Sequence, residues 1–523
     1  MKARAEELTE RPSTTPGHDP VDRVLPWSLA AATFAGLYLV AMLRAHTLLG
    51  GYDLATFSQA AWLITSGRAP FVTIRGLHLL GDHSYLIFYP IAWLTSVLPT
   101  VPTLLAVQAA SLAAGIVPLW ALARRVVGLG VAAAVGLSLA YAVFPAMHNV
   151  NFFDFHPEVL VVPALIGAVL FALTDRWWLY AGCVALALAS REDISVVVVF
   201  LGVLLVIEGR RRAGVATTAA GLAWLVLTTQ VLQPHYAGRF VQTAFLERYG
   251  DGIGEIVATM AGDPVRVLGD LFSTQNGVFV VALLGPVLFL PLLAPRYLLP
   301  VVPLEILYLL SSRPTAHTIQ AQYTVSAIAM VFVATAMALP RLSRLLARRW
   351  ALPSWAPAAV LVVVGMTGHT LLANDSLRTR PWALRTRDGV DQARLDAARL
   401  IPPGAVVSGT DRMWPLVSER ETLYNFPSPW EGYEASNDPV PLEERREGVE
   451  YLLIDTVDQV QWYRSRADAL RRLVPELGAT LVFDRAGILV YELPSGRRDP
   501  GDESSATDGG VGDPADESVR GQG

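Results

Sequence analysis

The sequence predicts a polytopic α-helical membrane protein of about eleven spans, with a small α/β domain outside the bilayer near its C-terminus. Three observations carry this prediction. Of the 523 residues, 53% are hydrophobic and 17% are charged, against roughly 25% charged in an ordinary soluble domain. Apolar runs recur along the chain, many near the length of about 20 residues that a crossing helix needs. After residue 372 the runs stop, and short strand and helix patterns replace them.

Residues 1–25 are polar and lack the apolar core of a cleavable signal. They are expected to be a disordered cytoplasmic N-terminus. The membrane domain covers 26–372, with spans at 26–43, 102–123, 126–145, 158–174, 177–190, 194–208, 214–232, 276–294, 297–312, 319–340 and 353–372. The apolar stretch 84–98 is short, contains Pro90 and ends at Pro99. It is expected to re-enter or lie along the surface. Arginine clusters orient the bundle: Arg124-Arg125, Arg210 to Arg212, and the run from Arg341 to Arg349. All should face the cytoplasm. The outer face then receives the loops 44–101 and 233–275, the second with the mixed aromatic and charged character of interfacial helices. Segments "LDAARLIPPGAVVSGT" and "TLVFDRAGILVYEL" belong to the α/β domain, 385–493, also outside. Residues 494–523 are rich in Gly, Ser, Asp and Glu and are expected to be disordered.

The net charge of −5 says nothing about nucleic acid, but the chain shows no long basic stripe, and no nucleic-acid partner is expected. One cysteine, Cys183, excludes an intrachain disulfide. The chain shows no Walker loop, no His-Glu-x-x-His motif, no suitable G-x-S-x-G elbow and no evident inverted repeat.

On this topology, the polar outliers gather on the outer face. Asp53 follows Gly50-Gly51 and reads in two ways. It is an N-cap for the helix "LATFSQAAW", or a carboxylate whose pKa is raised beside lipid and which serves as a general base. Asp82-His83 is a polar turn, or a metal or substrate clamp. In "NFFDFHPE", Pro157 and Glu158 suit the first turn of a helix, whereas His156 has no such reason. "SRED" places Arg191, Glu192 and Asp193 between two apolar runs, as an ion-paired turn or with Arg191 on a phosphate. Glu305 lies inside a span and needs a partner, with Arg296 or Arg313 within reach along the chain. His317 opens a further span.

The order of "YDLATFSQAAW", "GDHSYLIFYP", "LLAVQAASLAAGIVPLWALARRVVG", "FDFHPEVLVVPALI" and "SRED" resembles an uncharacterised family of predicted bacterial membrane proteins with a domain of unknown function. That family resembles the GT-C glycosyltransferases, the class of protein mannosyltransferases and the aminoarabinose transferase. The resemblance implies a carboxylate of the first outer loop as catalytic base or metal ligand. By motif this is Asp53, with Asp82 as the second acid. The loop lacks the adjacent Asp-Glu pair of the mannosyltransferases and the Lys-Pro-Pro of the aminoarabinose type.

The function so implied is sugar transfer at the outer face of the cell membrane. The sugar moves from a polyprenyl-phosphate donor to a cell-envelope glycan or protein. Arg191, Arg239, Arg248 and Arg296 are the expected phosphate-binding cations, and His83, His156, Glu158 and His317 are further substrate contacts. A divalent metal ion on Asp53, Asp82 and His83 is left open, and no other cofactor is implied. Two alternatives stand beside this reading: a transporter or flippase for lipid-linked substrates, and a non-catalytic protein of envelope assembly.

Overall fold

The structure is a computed structural model that describes residues 20–494, apart from 351–352, 354, 375–376, 378–385, 433–437 and 459–463. The terminal segments expected to be disordered lie, at 1–19 and 495–523, outside the described residues. Residues 20–25, expected to be part of the tail, are helical instead: the first helix runs Pro20–His46. Tertiary contact explains this. Asp22 is held by the Nε of Arg124 at 2.8 Å and accepts from Trp120 Nε1 at 3.0 Å, so its charge is compensated beside the bundle.

Among the described residues, four helices are long and apolar enough to cross a membrane: Pro20–His46, Thr100–Val127, Arg211–Ala237 and Gln322–Arg344. Two bent pairs, Val131–Ala142 with Pro145–Phe152 and Pro264–Leu271 with Thr274–Val287, bring the number to six if each pair is one span. Pro157–Leu173, Trp177–Leu188, Ile194–Ile207 and Ala356–Leu372 are shorter apolar helices. The expected span 297–312 is broken. Pro295–Tyr297 is a 3-10 turn, and only Val302–Leu309 is α-helical. In the stretch 84–98, the one helix is Phe88–Leu94, seven residues or about 10 Å long, too short to cross.

Packing follows membrane rules, in which small residues allow close approach. Ile194–Ile207 and Arg211–Leu227 cross at Gly202 and Gly214. A Cβ on either would lie 2.6 Å from the other's carbonyl oxygen. The helix Val325–Trp350 forms the bundle centre, with Ile328 through Ala334 buried.

The loop 44–101 holds the helix Tyr52–Thr65 and a small hairpin of β1 (Phe71–Val72) and β2 (Leu77–His78). The α/β domain has a sheet of β3 (Val407–Gly409), β4 (Leu423–Asn425), β5 (Tyr451–Asp455), β6 (Thr480–Arg485) and β7 (Ile488–Glu492). Its order is β4-β3-β5-β7-β6. β3 is parallel to β4 and β5, while β7 is antiparallel to both β5 and β6. Helix Gly389–Leu400 starts at a capping box between Asp388 and Asp391.

This domain shares one core with the loop. Leu54, Phe57, Val72 and Ile74 pack in the same cluster as Ala393, Val407, Trp414 and Leu453. Buried Gln59 joins the two parts. Its Nε2 donates to Thr73 Oγ1 at 2.8 Å, to Glu421 O at 3.0 Å and to Arg420 O at 3.3 Å. Thr73 Oγ1 in turn donates to Leu423 O and accepts from Leu423 N. Replacing Gln59 with Ala strands buried carbonyls and should cost roughly 2 kcal/mol. The expected result is a lower thermal midpoint in detergent and faster proteolysis of the α/β domain.

Candidate functional site

The helix Tyr52–Thr65 carries Asp53 in its first turn, but Asp53 does not cap it. The cap comes from 100 residues downstream. Asp154 accepts from Gly51 N at 3.1 Å and from Leu54 N at 3.2 Å, and pairs with Arg44 at 2.7 Å. This corrects the capping reading of Asp53, and it leaves the Asp53 carboxylate available.

Asp53 faces His156, its Oδ2 lying 3.6 Å from Nε2. The other imidazole nitrogen, Nδ1, is 2.9 Å from the Asp154 carbonyl. A carbonyl only accepts, so Nδ1 carries a hydrogen and Nε2 is the nitrogen turned to Asp53. The His156 backbone N–H donates to Gln108 Oε1 at 2.9 Å, which fixes the ring's position. Burial raises the Asp53 pKa to about 6, against the opposing pull of His156. Its side chain still keeps 31% of its surface open, so it is reachable by a substrate.

Asp82 is not free. Arg75 NH2 holds it at 2.9 Å, and Tyr52 also bonds to Arg75. Burial would raise the Asp82 pKa, but Arg75, with help from His83 and Arg313, holds the carboxyl below its ordinary value. His83 Nδ1 lies 2.7 Å from Glu192 Oε1, while Glu192 Oε2 accepts from Ser84 N at 3.0 Å. Burial disfavours a charged His83, yet Glu192 prevails and raises its pKa. The metal expectation does not fit this arrangement. Asp53, Asp82 and His83 each turn to a different protein partner, and among the described residues no three His, Cys, Asp or Glu side chains form a metal-binding group.

Arg191 is buried and engaged on every nitrogen. Nε and NH2 reach Asp193 at 2.8 and 2.5 Å, and NH1 reaches Glu158 at 2.7 Å. NH2 also meets the Tyr308 hydroxyl, which donates to Asp193 at 2.5 Å. The ion-paired reading of "SRED" describes this geometry, and a phosphate would have to displace Asp193 or Glu158 to reach Arg191.

Asp53, Asp82, His83, His156, Glu158 and Arg191 therefore form one neighbourhood, and four other expected residues stand apart. Arg296 pairs with Glu208 at 3.0 Å, at the end of Ile194–Ile207 opposite Arg191. The helix is 14 residues long, which separates the two by about 20 Å; that distance removes Arg296 from the site. Arg239 is exposed. Arg248 and His317 both bond the Ser311 carbonyl, at 2.9 and 2.8 Å. His317 also meets Asn276 Oδ1 at 2.6 Å, so both its nitrogens are used to tie loops together. Glu305 takes Ser326 as its hydrogen-bond partner, with Arg191 its nearby cation, not Arg296 or Arg313.

Sequence reading passed over Arg44, Arg75 and Gln108 because their partners are far along the chain or across a turn. Arg75, seven residues before Asp82, was the most accessible of the three as a counter-ion. Sequence reading offered Arg313 as a partner for Glu305 and did not give it a place among the phosphate-binding cations. Arg313 stacks on Phe245 at 4.5 Å and forms no ion pair among the described residues.

Beside this neighbourhood lies a cavity of about 360 Å³. Its polar end is His83, Glu192, Asp193 and Gln242, and its walls are apolar, among them Phe245, Ile256, Met260 and Leu304.

Residues 44–476 match a family model described as predicted membrane protein (DUF2079). The chain belongs to the DUF2079 family. A search of the curated proteins finds no match. Among solved structures, this DUF2079 protein is similar to ArnT from Cupriavidus metallidurans bound to undecaprenyl phosphate. The two are 15% identical with a TM-score of 0.53, over 88% of this chain and 97% of that one. The apo structure of the same ArnT gives 15% and 0.49 over the same shares. ArnT is a GT-C glycosyltransferase, and at this identity the likeness is one of fold.

Removing the Asp154 carboxylate strips the cap of Tyr52–Thr65 and leaves Arg44 without its partner. Asp154→Ala should therefore destabilise the protein by roughly 3 kcal/mol. A fall in the thermal midpoint of the detergent-solubilised protein reads this out, and an unchanged midpoint contradicts it.

Proposed function

We propose that this DUF2079 protein is a membrane glycosyltransferase that moves a sugar from a polyprenyl-phosphate donor to a hydroxyl of a cell-envelope acceptor at the outer face. The observation that carries the reading is Asp53, a partly open carboxylate with raised pKa, positioned by His156 on a rigid helix. The ArnT-like fold and the undecaprenyl phosphate bound to that neighbour support the choice of donor.

Asp53 takes the proton of the acceptor hydroxyl as its oxygen attacks the anomeric carbon. The new C–O bond forms while the bond from that carbon to the phosphate oxygen breaks, and polyprenyl phosphate leaves with the electron pair. A base with a pKa near the working pH is well matched to this role. His156 keeps the carboxylate oriented. The prenyl chain lies in the apolar cavity beneath His83 and Glu192. Arg313 is the cation available to the departing phosphate; Arg75 is committed to Asp82, and Arg191 holds the surrounding acids in place. No step needs a metal ion.

A second reading has one observation in its favour. The helix pairs bent by 40° and 45° are the kind of break that a carrier of lipid-linked substrate would use as a gate. The two readings part at Asp53, since a carrier needs no base.

The test uses purified protein in liposomes with an envelope extract and a panel of polyprenyl-phosphoryl sugars. Release of polyprenyl phosphate is measured. Asp53→Asn should reduce it by about 10²- to 10⁴-fold with membrane insertion unchanged; release at the wild-type rate sinks the proposal. The base must be ionised, so activity should fall as pH drops through about 6. His156 pulls the Asp53 pKa down, so in His156→Ala this acid limb should move to higher pH. A limb that stays in place would show that the two groups are uncoupled.

A further inference from the structure

A second cavity, of about 500 Å³, lies at the other end of the bundle. It opens between the first helix and the helices Thr100–Val127, Pro157–Leu173 and Trp177–Leu188. Pro26, Val117, Gly167, Phe171 and Cys183 line it. We propose that this cavity is a binding site for one anionic diacyl phospholipid, with its headgroup at Arg125 and an acyl chain between the helices.

Three features argue for this occupant. The first is depth. The lining runs along Thr100–Val127 from Ala114 to Arg125, about 16 Å of helix, which matches one leaflet's half of a hydrocarbon core about 30 Å thick. The second is charge. Arg124 is committed to Asp22 and to the Leu129 carbonyl at 2.7 Å. Arg125 is exposed at the rim and forms no ion pair among the described residues. A guanidinium at the end of an apolar groove complements a phosphodiester joined to an acyl chain. The third is access. Trp27, on the wall, is 63% exposed, so the groove opens sideways towards lipid.

The site is separate from the transferase reading. The first helix runs from Asp22 at this rim to Arg44 beside Asp154, about 33 Å apart. A ligand here is on the opposite side of the bilayer from Asp53.

Cys183, the one cysteine in the chain, lines the groove and supplies the readout. Delipidated protein in detergent is treated with a small apolar maleimide while dioleoyl phosphatidylglycerol or dioleoyl phosphatidylcholine is titrated in. Phosphatidylglycerol should protect Cys183 at a concentration roughly fivefold lower than phosphatidylcholine. Arg125→Gln should bring the two lipids together. Equal protection by both in the wild-type protein, or none by either, overturns the proposal. So does a preference that survives Arg125→Gln. Protection by undecaprenyl phosphate where phosphatidylglycerol gives none would reject the diacyl lipid.

Discussion

The carboxylate of Asp154 is the constraint on which the outer half of the molecule depends. The start of the helix Tyr52–Thr65 presents unsatisfied N–H groups to a region with little water. Gly51 and Leu54 give theirs to Asp154, whose charge is balanced by Arg44 at 2.7 Å. One side chain thus joins the end of the first helix, the start of the second and the "FDFHPE" segment. The same segment presents His156 to Asp53. Without that junction Asp53 and His156 would sit on independent loops.

A shortage of solvent then dictates the rest of the site. Charges beside a bilayer are costly unless paired, and here the acids and cations follow one another in pairs: Asp82 with Arg75, Glu192 with His83, Glu158 and Asp193 with Arg191. There are exceptions among the described residues. Asp53 has an imidazole at 3.6 Å, Arg313 has an aromatic face in place of a carboxylate, and Glu305 takes Ser326 as its hydrogen-bond partner.

The α/β domain belongs to this arrangement through packing. Trp414 contacts Tyr52 edge-on at 5.6 Å, and Gln59 and Thr73 bond to the backbone at β4. A domain docked by backbone hydrogen bonds and a shared apolar core holds the Asp53 helix from above, while Asp154 holds it from its end. Preorganisation of this kind keeps the Asp53 carboxylate in position.

The membrane class, the run of apolar segments and the small α/β domain were legible in composition and periodicity, because both are local properties of the chain. Asp53, His156 and the "SRED" cluster stood out as polar residues between apolar runs, Asp53 also readable as a helix cap and "SRED" as an ion-paired turn. Pairing was not legible. Asp154 caps a helix 100 residues before it, Arg191 is spent on Glu158 and Asp193, and Arg296 is carried to the far end of its neighbouring helix by Glu208. The polar start of the first helix follows the same rule, being helical because Asp22 finds Arg124. Sequence by itself determined the membrane class and which charges needed an explanation, since hydropathy and charge belong to each residue alone. Tertiary structure decided which of those charges cancel, because Coulomb energy depends on distance, and distance is set by packing.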